Sequence, residues 1–220
     1  MDASVQGSTV GDFRRAVASE HPMPAGVAAS AVSASFALGL VAKVLDVSGR
    51  RKDFAGDRAT LGTLLQAARD QSQRMLGVAD DDIAAFNAYL AAVRLPRGTE
   101  HEQEERRRAT SSAAHQAIEV PAVAARAAAA GIGLCARAAD MTHARVVVDL
   151  AAAVALLESA LRVFLLCADA NLRHLPVAAA TRYETPAQRQ EWETQALHQA
   201  GAILQRITDS ISQTGAGPTS

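Results

Sequence analysis

Residues Ala79–Glu100 read "ADDDIAAFNAYLAAVRLPRGTE", three consecutive aspartates at the head of a helix whose later turns are apolar. The fold hangs on which of the three points inward. Working outward, Leu61, Leu65, Ala68, Ser72, Met75, Ala79, Asp82, Phe86, Tyr89 and Val93 follow one another at alternating steps of four and three, which defines a single helix-packing seam. Asp82 lies on that seam. Asp80 and Asp81 fall off it and are expected to be solvated, where they favour the positive end of a helix restarting after Gly77. A carboxylate on a packing face loses hydration, and its pKa rises unless a cation or hydrogen-bond donors compensate. That is the state in which a carboxylate exchanges protons near neutral pH. From spacing alone two readings of Asp82 stand level: a proton-transfer group, or a helix cap or partner of a structural arginine.

The rest of the chain shows the same helical spacing. β-Branched residues are few, and Pro and Gly cluster between long windows, so the chain reads as all-α, an up-and-down multi-helix bundle. The expected helices are Val10 to Ser19, Ala25 to Leu45, Asp57 to Arg94 with a break near Gly77, Glu100 to Arg137, His143 to His174, and Pro186 to Ser212. Thr99 with Glu102, and Thr185 with Pro186 and Gln188, carry the reciprocal hydroxyl and Glu/Gln pattern of helix N-termini. With 220 residues, no repeat and no shift of composition, one helical domain over 1–214 is expected, followed by a disordered tail at 215–220.

Charge and cysteine usage exclude whole classes. Basic and acidic side chains number 22 and 23, so no net field draws the chain to nucleic acid or an anionic membrane. Ala25 to Ala42 is uncharged and long, but it consists mostly of Ala, Ser and Gly, as a buried soluble helix does; in Val146 to Ala168, Asp149, Glu158 and Arg162 speak against a span. "MDASVQGSTVGDF" lacks a basic segment followed by an apolar run. Cys135 and Cys167 lie far apart without ligand spacing, which fits a reducing cytoplasm and neither a disulfide framework nor a zinc site.

Other candidates divide between structural and chemical duties. Arg50, Arg51 and Lys52 follow a helix end and read as a solvated turn complementing its dipole. Lys43 closes an uncharged helix and can snorkel. Asp149 shares a helical face with Ala153, Leu156 and Ala160, so it needs a partner, an arginine or a ligand ring nitrogen. His143 reads as a helix-start residue rather than a metal ligand or proton shuttle, His115 as solvated, and His21 as a loop residue within reach of a ligand. "GIGLC" at Gly131 lacks the strand and Lys of a phosphate loop and reads as an interruption of a long helix. "EHEQEERRRA" reads as a solvated face laced with ion pairs.

Taken together, "ADDDIAAFNAYLAAVRLPRGTEHEQEERRRA" closely resembles the segment of the formiminotetrahydrofolate cyclodeaminase and methenyltetrahydrofolate cyclohydrolase family that carries an acidic pair, an Ala-Phe, a Leu-Pro and a charged helix. "HPMPAGVAAS", "SGRRKDF", "EVPAVAARAA" and "VVVDLAAAVALLESALRVFLLCADANLRHL" are similar to its other motifs, in order, from about His21 to Leu175. The resemblance implies an all-α homodimer with its folate site near the subunit interface, and a catalytic aspartate at Asp82. It further implies a tetrahydrofolate derivative as substrate, with no prosthetic group and no metal. Pro24 and Gly26 would belong to the substrate loop, Lys43, Arg50 and Arg51 would hold the anionic glutamate tail, and Asp149 and Asn171 would meet the ring. The chain departs from the family pattern at Ala25, Val27 and Ala28 in the glycine loop, at His143 and Val148, and at Cys167. The implied reactions are opening of the methenyl ring by water or closure of the formimino compound with loss of ammonia. A helical dimer that has become a binding or scaffold protein, and an enzyme acting on another cyclic amidine, are the alternatives.

Overall fold

The computed structural model describes residues 4–173 and 182–215. Among the described residues there are six α-helices, α1 (Val10–Val17), α2 (Gly26–Gly49), α3 (Arg58–Val93), α4 (Glu100–Ala139), α5 (Val147–Leu172) and α6 (Pro186–Gly215), and no strand. α6 continues through Gly215, past the expected end of the helix; residues 216–220, where the rest of the expected tail falls, lie outside the described residues, as does the expected end of the fifth helix at His174.

α2 occupies the centre. Its alanines and glycines let neighbouring backbones come close, and Ala28, Ala31, Ala34, Leu38, Val41 and Leu45 are buried against α3, α4 and α5. Each neighbour in sequence runs antiparallel to the last. Gly49 meets Leu61 at one end of the α2/α3 pair, the Ser35 and Ser72 hydroxyls pair at 3.2 Å in the middle, and Ser72 Oγ donates to the Ser35 carbonyl at 2.9 Å. These bonds satisfy two hydroxyls that would otherwise be costly between packed helices. α6 lies over α4 and α5 with Ala196, Ala200, Ile203 and Ile207 inward. Arg189, 7% exposed, pairs with Asp169 of α5 and so fastens its first turns.

Local signals explain the helix starts. Thr99 and Glu102 form the complete reciprocal cap, Thr185 and Gln188 exchange the equivalent bonds, and Asp57 accepts from the amides of Ala59 and Thr60. Glu104 pairs with Arg107 and Arg108 on the solvated face expected there. His143 starts the 3-10 turn Ala144–Val146, its Nδ1 accepting from the amide of Arg145.

Three expectations are overturned. α3 runs unbroken through Gly77, because a single glycine costs only about 1 kcal/mol in a 36-residue helix held by packing on both sides. α4 is likewise unbroken at Gly131: that glycine is buried, and a Cβ placed there would come within 3.2 Å of Leu157 and 3.3 Å of Leu38, so it is a packing notch and not an interruption. Asp80 is not merely solvated. Its carboxylate accepts from the Ser4 hydroxyl at 2.6 Å and the Val5 amide at 2.7 Å, clasping the chain start to α3 with Val5 buried.

The two glycines therefore respond oppositely to substitution. Space around Gly77 is open, so Gly77→Ala raises stability in urea unfolding by about 0.5–1 kcal/mol. Gly131→Val lowers it by about 1–3 kcal/mol through overpacking.

Candidate active site

Continuity of α3 decides the question posed by Asp82. Because the helix neither starts nor breaks there, Asp82 does not cap its own helix, and its side chain is carried to the face packed against the first turn of α2. There its carboxyl faces the backbone N–H of Ala28, one of the amides that a helix start leaves without an internal partner. Burial nevertheless dominates and pushes the carboxyl up to about 6, with the Ala28 N–H opposing it weakly. No arginine or lysine among the described residues offsets that burial, so the structural-arginine reading falls as well. Cys167 of α5 lies within range of that charge: its thiol is raised chiefly by burial and further by the negative charge of Asp82. Sequence spacing contained no signal that Cys167 would face the acid.

Pro24 and Gly26 join Asp82 at this end of the bundle. Pro24 is buried after a cis peptide bond from Met23, and Gly26 opens α2 on the exposed side, with Val163 of α5 its near neighbour. The altered glycine loop proves undemanding. No residue among those described has a positive φ, and Val27 is 6% exposed and packs in the core.

The remaining expected site residues gather at the far end. Lys43 Nζ pairs with Asp149 at 2.7 Å, joining α2 to α5, so the partner of Asp149 is a lysine instead of an arginine. Arg50 pairs with Asp46 at 2.8 Å, and Arg51 lies parallel to Asp53 with two 2.8 Å bonds, which lower the Asp53 carboxyl below its usual value. His143 lies near Asp53 and donates its amide to Ser48 Oγ. Fifteen residues of α2 separate Ala28 from Lys43, about 22 Å at helical rise.

Asn171 has a specific structural task. Pro121 lies inside α4 and has no N–H to give to the carbonyl one turn back, that of Ala117. Asn171 Nδ2 from α5 donates to that carbonyl at 2.7 Å. His115, expected to be solvated, is instead stacked on Tyr183 with Nδ1 and the phenol oxygen 2.5 Å apart. A cavity of about 260 Å³ between α4, α5 and α6, walled by Tyr183 and Trp192, is not lined by Asp82. No three His, Cys, Asp or Glu side chains cluster to hold a metal ion among the described residues.

The fold is an antiparallel helical bundle that presses one desolvated carboxylate against the start of α2 and groups Lys43, Arg50 and Arg51 toward the other end of that helix. Residues 9–190 match the Formiminotransferase-cyclodeaminase family, and the chain belongs to it. It is 27% identical over 203 residues to the methenyltetrahydrofolate cyclohydrolase of Methylorubrum extorquens, covering 92% of this chain and 95% of that one. It is 29% identical over 109 residues to the formimidoyltransferase-cyclodeaminase of Sus scrofa, a match covering 50% of this chain and 20% of that longer protein. The crystal structure of formiminotetrahydrofolate cyclodeaminase from Thermotoga maritima superposes with a TM-score of 0.76 at 18% identity, over 96% of this chain and 98% of that chain.

Two predictions follow from the site. A carboxyl raised in the fold opposes folding once ionised: its penalty is absent below the unfolded value near 3.8 and grows as pH rises through about 6. Asp82→Asn therefore stabilises the protein above pH 6.5 by about 1–2 kcal/mol, after discounting for its partial exposure, and leaves stability at pH 3.5 nearly unchanged; thermal melts at the two pH values check this. Asn171→Ala costs about 1–3 kcal/mol by stranding the Ala117 carbonyl, and the cost shrinks in a Pro121→Ala background, where the helix supplies the missing donor; a double-mutant cycle in urea measures the difference.

Proposed function

We propose that this protein is a folate one-carbon enzyme that opens the ring of methenyltetrahydrofolate with water or closes formiminotetrahydrofolate with loss of ammonia. The observation that carries this reading is Asp82, a carboxyl poised near neutrality on a rigid helix, in a chain similar along nearly its whole length to a methenyltetrahydrofolate cyclohydrolase. In the hydrolytic direction the Asp82 carboxylate takes a proton from water as its oxygen bonds to the methenyl carbon. The resulting carbinol collapses: one carbon–nitrogen bond breaks, the departing folate nitrogen receives the proton from Asp82, and the hydroxyl proton passes to solvent as the formyl carbonyl forms. In the deaminating direction the formimino group reacts in its protonated amidinium form: Asp82 takes the proton of the attacking folate nitrogen and gives it to the formimino nitrogen, now an amine, which leaves as ammonia as the methenyl cation forms. Both routes are served by a group that holds and returns one proton with a pKa close to ambient pH.

Lys43, Arg50 and Arg51 are the groups suited to the glutamate carboxylates of the substrate tail, and Asp82, Pro24 and Gly26 surround the reacting carbon. Asp149 keeps Lys43 extended across α2 and α5. Asn171 acts from behind, by fixing α5. The inward turn of Val27 favours retained turnover over the scaffold reading. We further propose a homodimer. Three helices are apolar and long enough to cross a membrane by length and composition alone, and between 44% and 56% of each apolar window is buried, leaving outward faces that need covering. A buried free Cys135 and a half-buried Cys167 suit a reducing cytoplasm.

The test is methenyltetrahydrofolate hydrolysis followed by absorbance, with formiminotetrahydrofolate as the second substrate. Wild type is expected to exceed buffer, with kcat/KM in the hydrolytic direction rising with pH through an apparent value near 6. Asp82→Asn is expected to lose about 100-fold or more in kcat with folate affinity retained. Rates equal to buffer for both substrates, together with no folate binding by calorimetry, would reject the reading.

A further inference from the structure

The cavity of about 260 Å³ between α4, α5 and α6 takes no part in the proposed reaction, yet its walls are not those of a packing fault. A void left by imperfect packing is lined by apolar side chains alone. Here Ile118, Leu165 and Ala168 supply buried apolar wall, and Tyr183 and Trp192 bring aromatic rings to the same space. Glu119, Arg126, Arg182 and Glu184 line it too, and all four are exposed. The charges therefore stand at the mouth of an apolar chamber.

Ion pairing sorts those charges. Arg189, which also lines the cavity, is 7% exposed and is engaged by Asp169 and Glu193. Arg126 pairs with Glu184, and its guanidinium lies over the Trp192 ring, 5.0 Å from the centroid. One cation and one anion are left: Arg182 and Glu119 make no ion pair or side-chain hydrogen bond with each other or with any other described residue. Burial raises the Tyr183 phenol, Glu119 raises it further and Arg182 lowers it, so both unpaired charges stand within range of one hydroxyl.

A ligand that satisfies this surface carries a positive and a negative group close together on a ring-sized apolar body. We propose that the cavity binds a free α-amino acid with an aromatic side chain, its carboxylate on Arg182, its ammonium on Glu119 and its ring against Tyr183 and Trp192. The planar fork of an arginine meets a carboxylate with two parallel bonds. Aromatic walls offer a bound ring both faces and edges. The volume lies just below the about 300–1,000 Å³ of sites for drug-sized ligands, which suits a molecule of this size and is too small to enclose a folate. A simple anion would bring its charge against Glu119, and a simple cation would meet Arg182. Asp82 does not line this cavity, and binding here does not depend on the folate reading.

Trp192 is the only tryptophan in the chain, so its emission reports on this cavity. The full chain is titrated with L-phenylalanine while Trp192 fluorescence is followed, and calorimetry measures stoichiometry and affinity. Saturable binding of one phenylalanine per chain with a change in Trp192 emission is expected. 3-Phenylpropionate, which lacks the amine, and phenethylamine, which lacks the carboxylate, are each expected to bind about tenfold or more weakly. Arg182→Gln is expected to weaken phenylalanine by about tenfold and leave phenethylamine no weaker. Glu119→Gln is expected to weaken phenylalanine by about as much and leave phenylpropionate no weaker. Both substitutions fall on exposed residues, and circular dichroism checks that the variants keep the fold. Asp82→Asn is expected to bind phenylalanine as wild type does, whatever its effect on folate turnover. Absence of binding at about 10 mM phenylalanine would overturn the proposal. So would phenylpropionate or phenethylamine binding as tightly as phenylalanine, or an affinity indifferent to both Arg182→Gln and Glu119→Gln. Loss of binding in Asp82→Asn would place phenylalanine at the other site and refute it as well.

Discussion

Close approach of backbones along α2 is the constraint on which the rest of the structure depends. Alanines, serines and glycines on that helix allow α3, α4 and α5 to surround it, and the same closeness presses the first turn of α2 onto the α3 face that carries Asp82. A larger residue at Ala28 or Ala31 would separate the two helices and return the acid to water. The carboxyl is thus tuned by packing and not by a neighbouring charge. The serine pair between α2 and α3 helps to hold that spacing.

Much of this was legible in the chain. Alternating steps of four and three placed Asp82 inward, the Thr99 and Thr185 caps fixed two helix starts, and the absence of charge from Ala25 to Ala42 announced a buried helix. The seam itself holds best in its first half: Leu61, Ala68, Met75 and Ala79 are buried, whereas Tyr89 is 39% exposed, because α3 outruns α2 beyond Asp82 and has less to pack against. Glycine misled twice. At Gly77 packing outweighed a small propensity, and at Gly131 the residue was needed for what it lacks, a fact visible only once Leu38 and Leu157 are in place.

The sequence offers candidate site residues but not their arrangement. Short motifs say which side chains matter without saying that two groups of them lie at opposite ends of a straight helix, since distance along a helix becomes distance in space only when both ends are packed. The clasp of Asp80 on Ser4 and Val5 and the influence of the Asp82 charge on Cys167 join positions at least 75 residues apart in sequence, and neither leaves a local pattern.

The bond from Asn171 to the carbonyl vacated by Pro121 also constrains history. An asparagine at 171 can arise first at little cost, its amide hydrated at the helix edge, and a proline at 121 becomes tolerable afterwards. In the opposite order the intermediate carries an orphaned carbonyl between two helices. Ancestors of this chain are therefore expected to have gained the amide before the ring, and descendants to lose the ring before the amide.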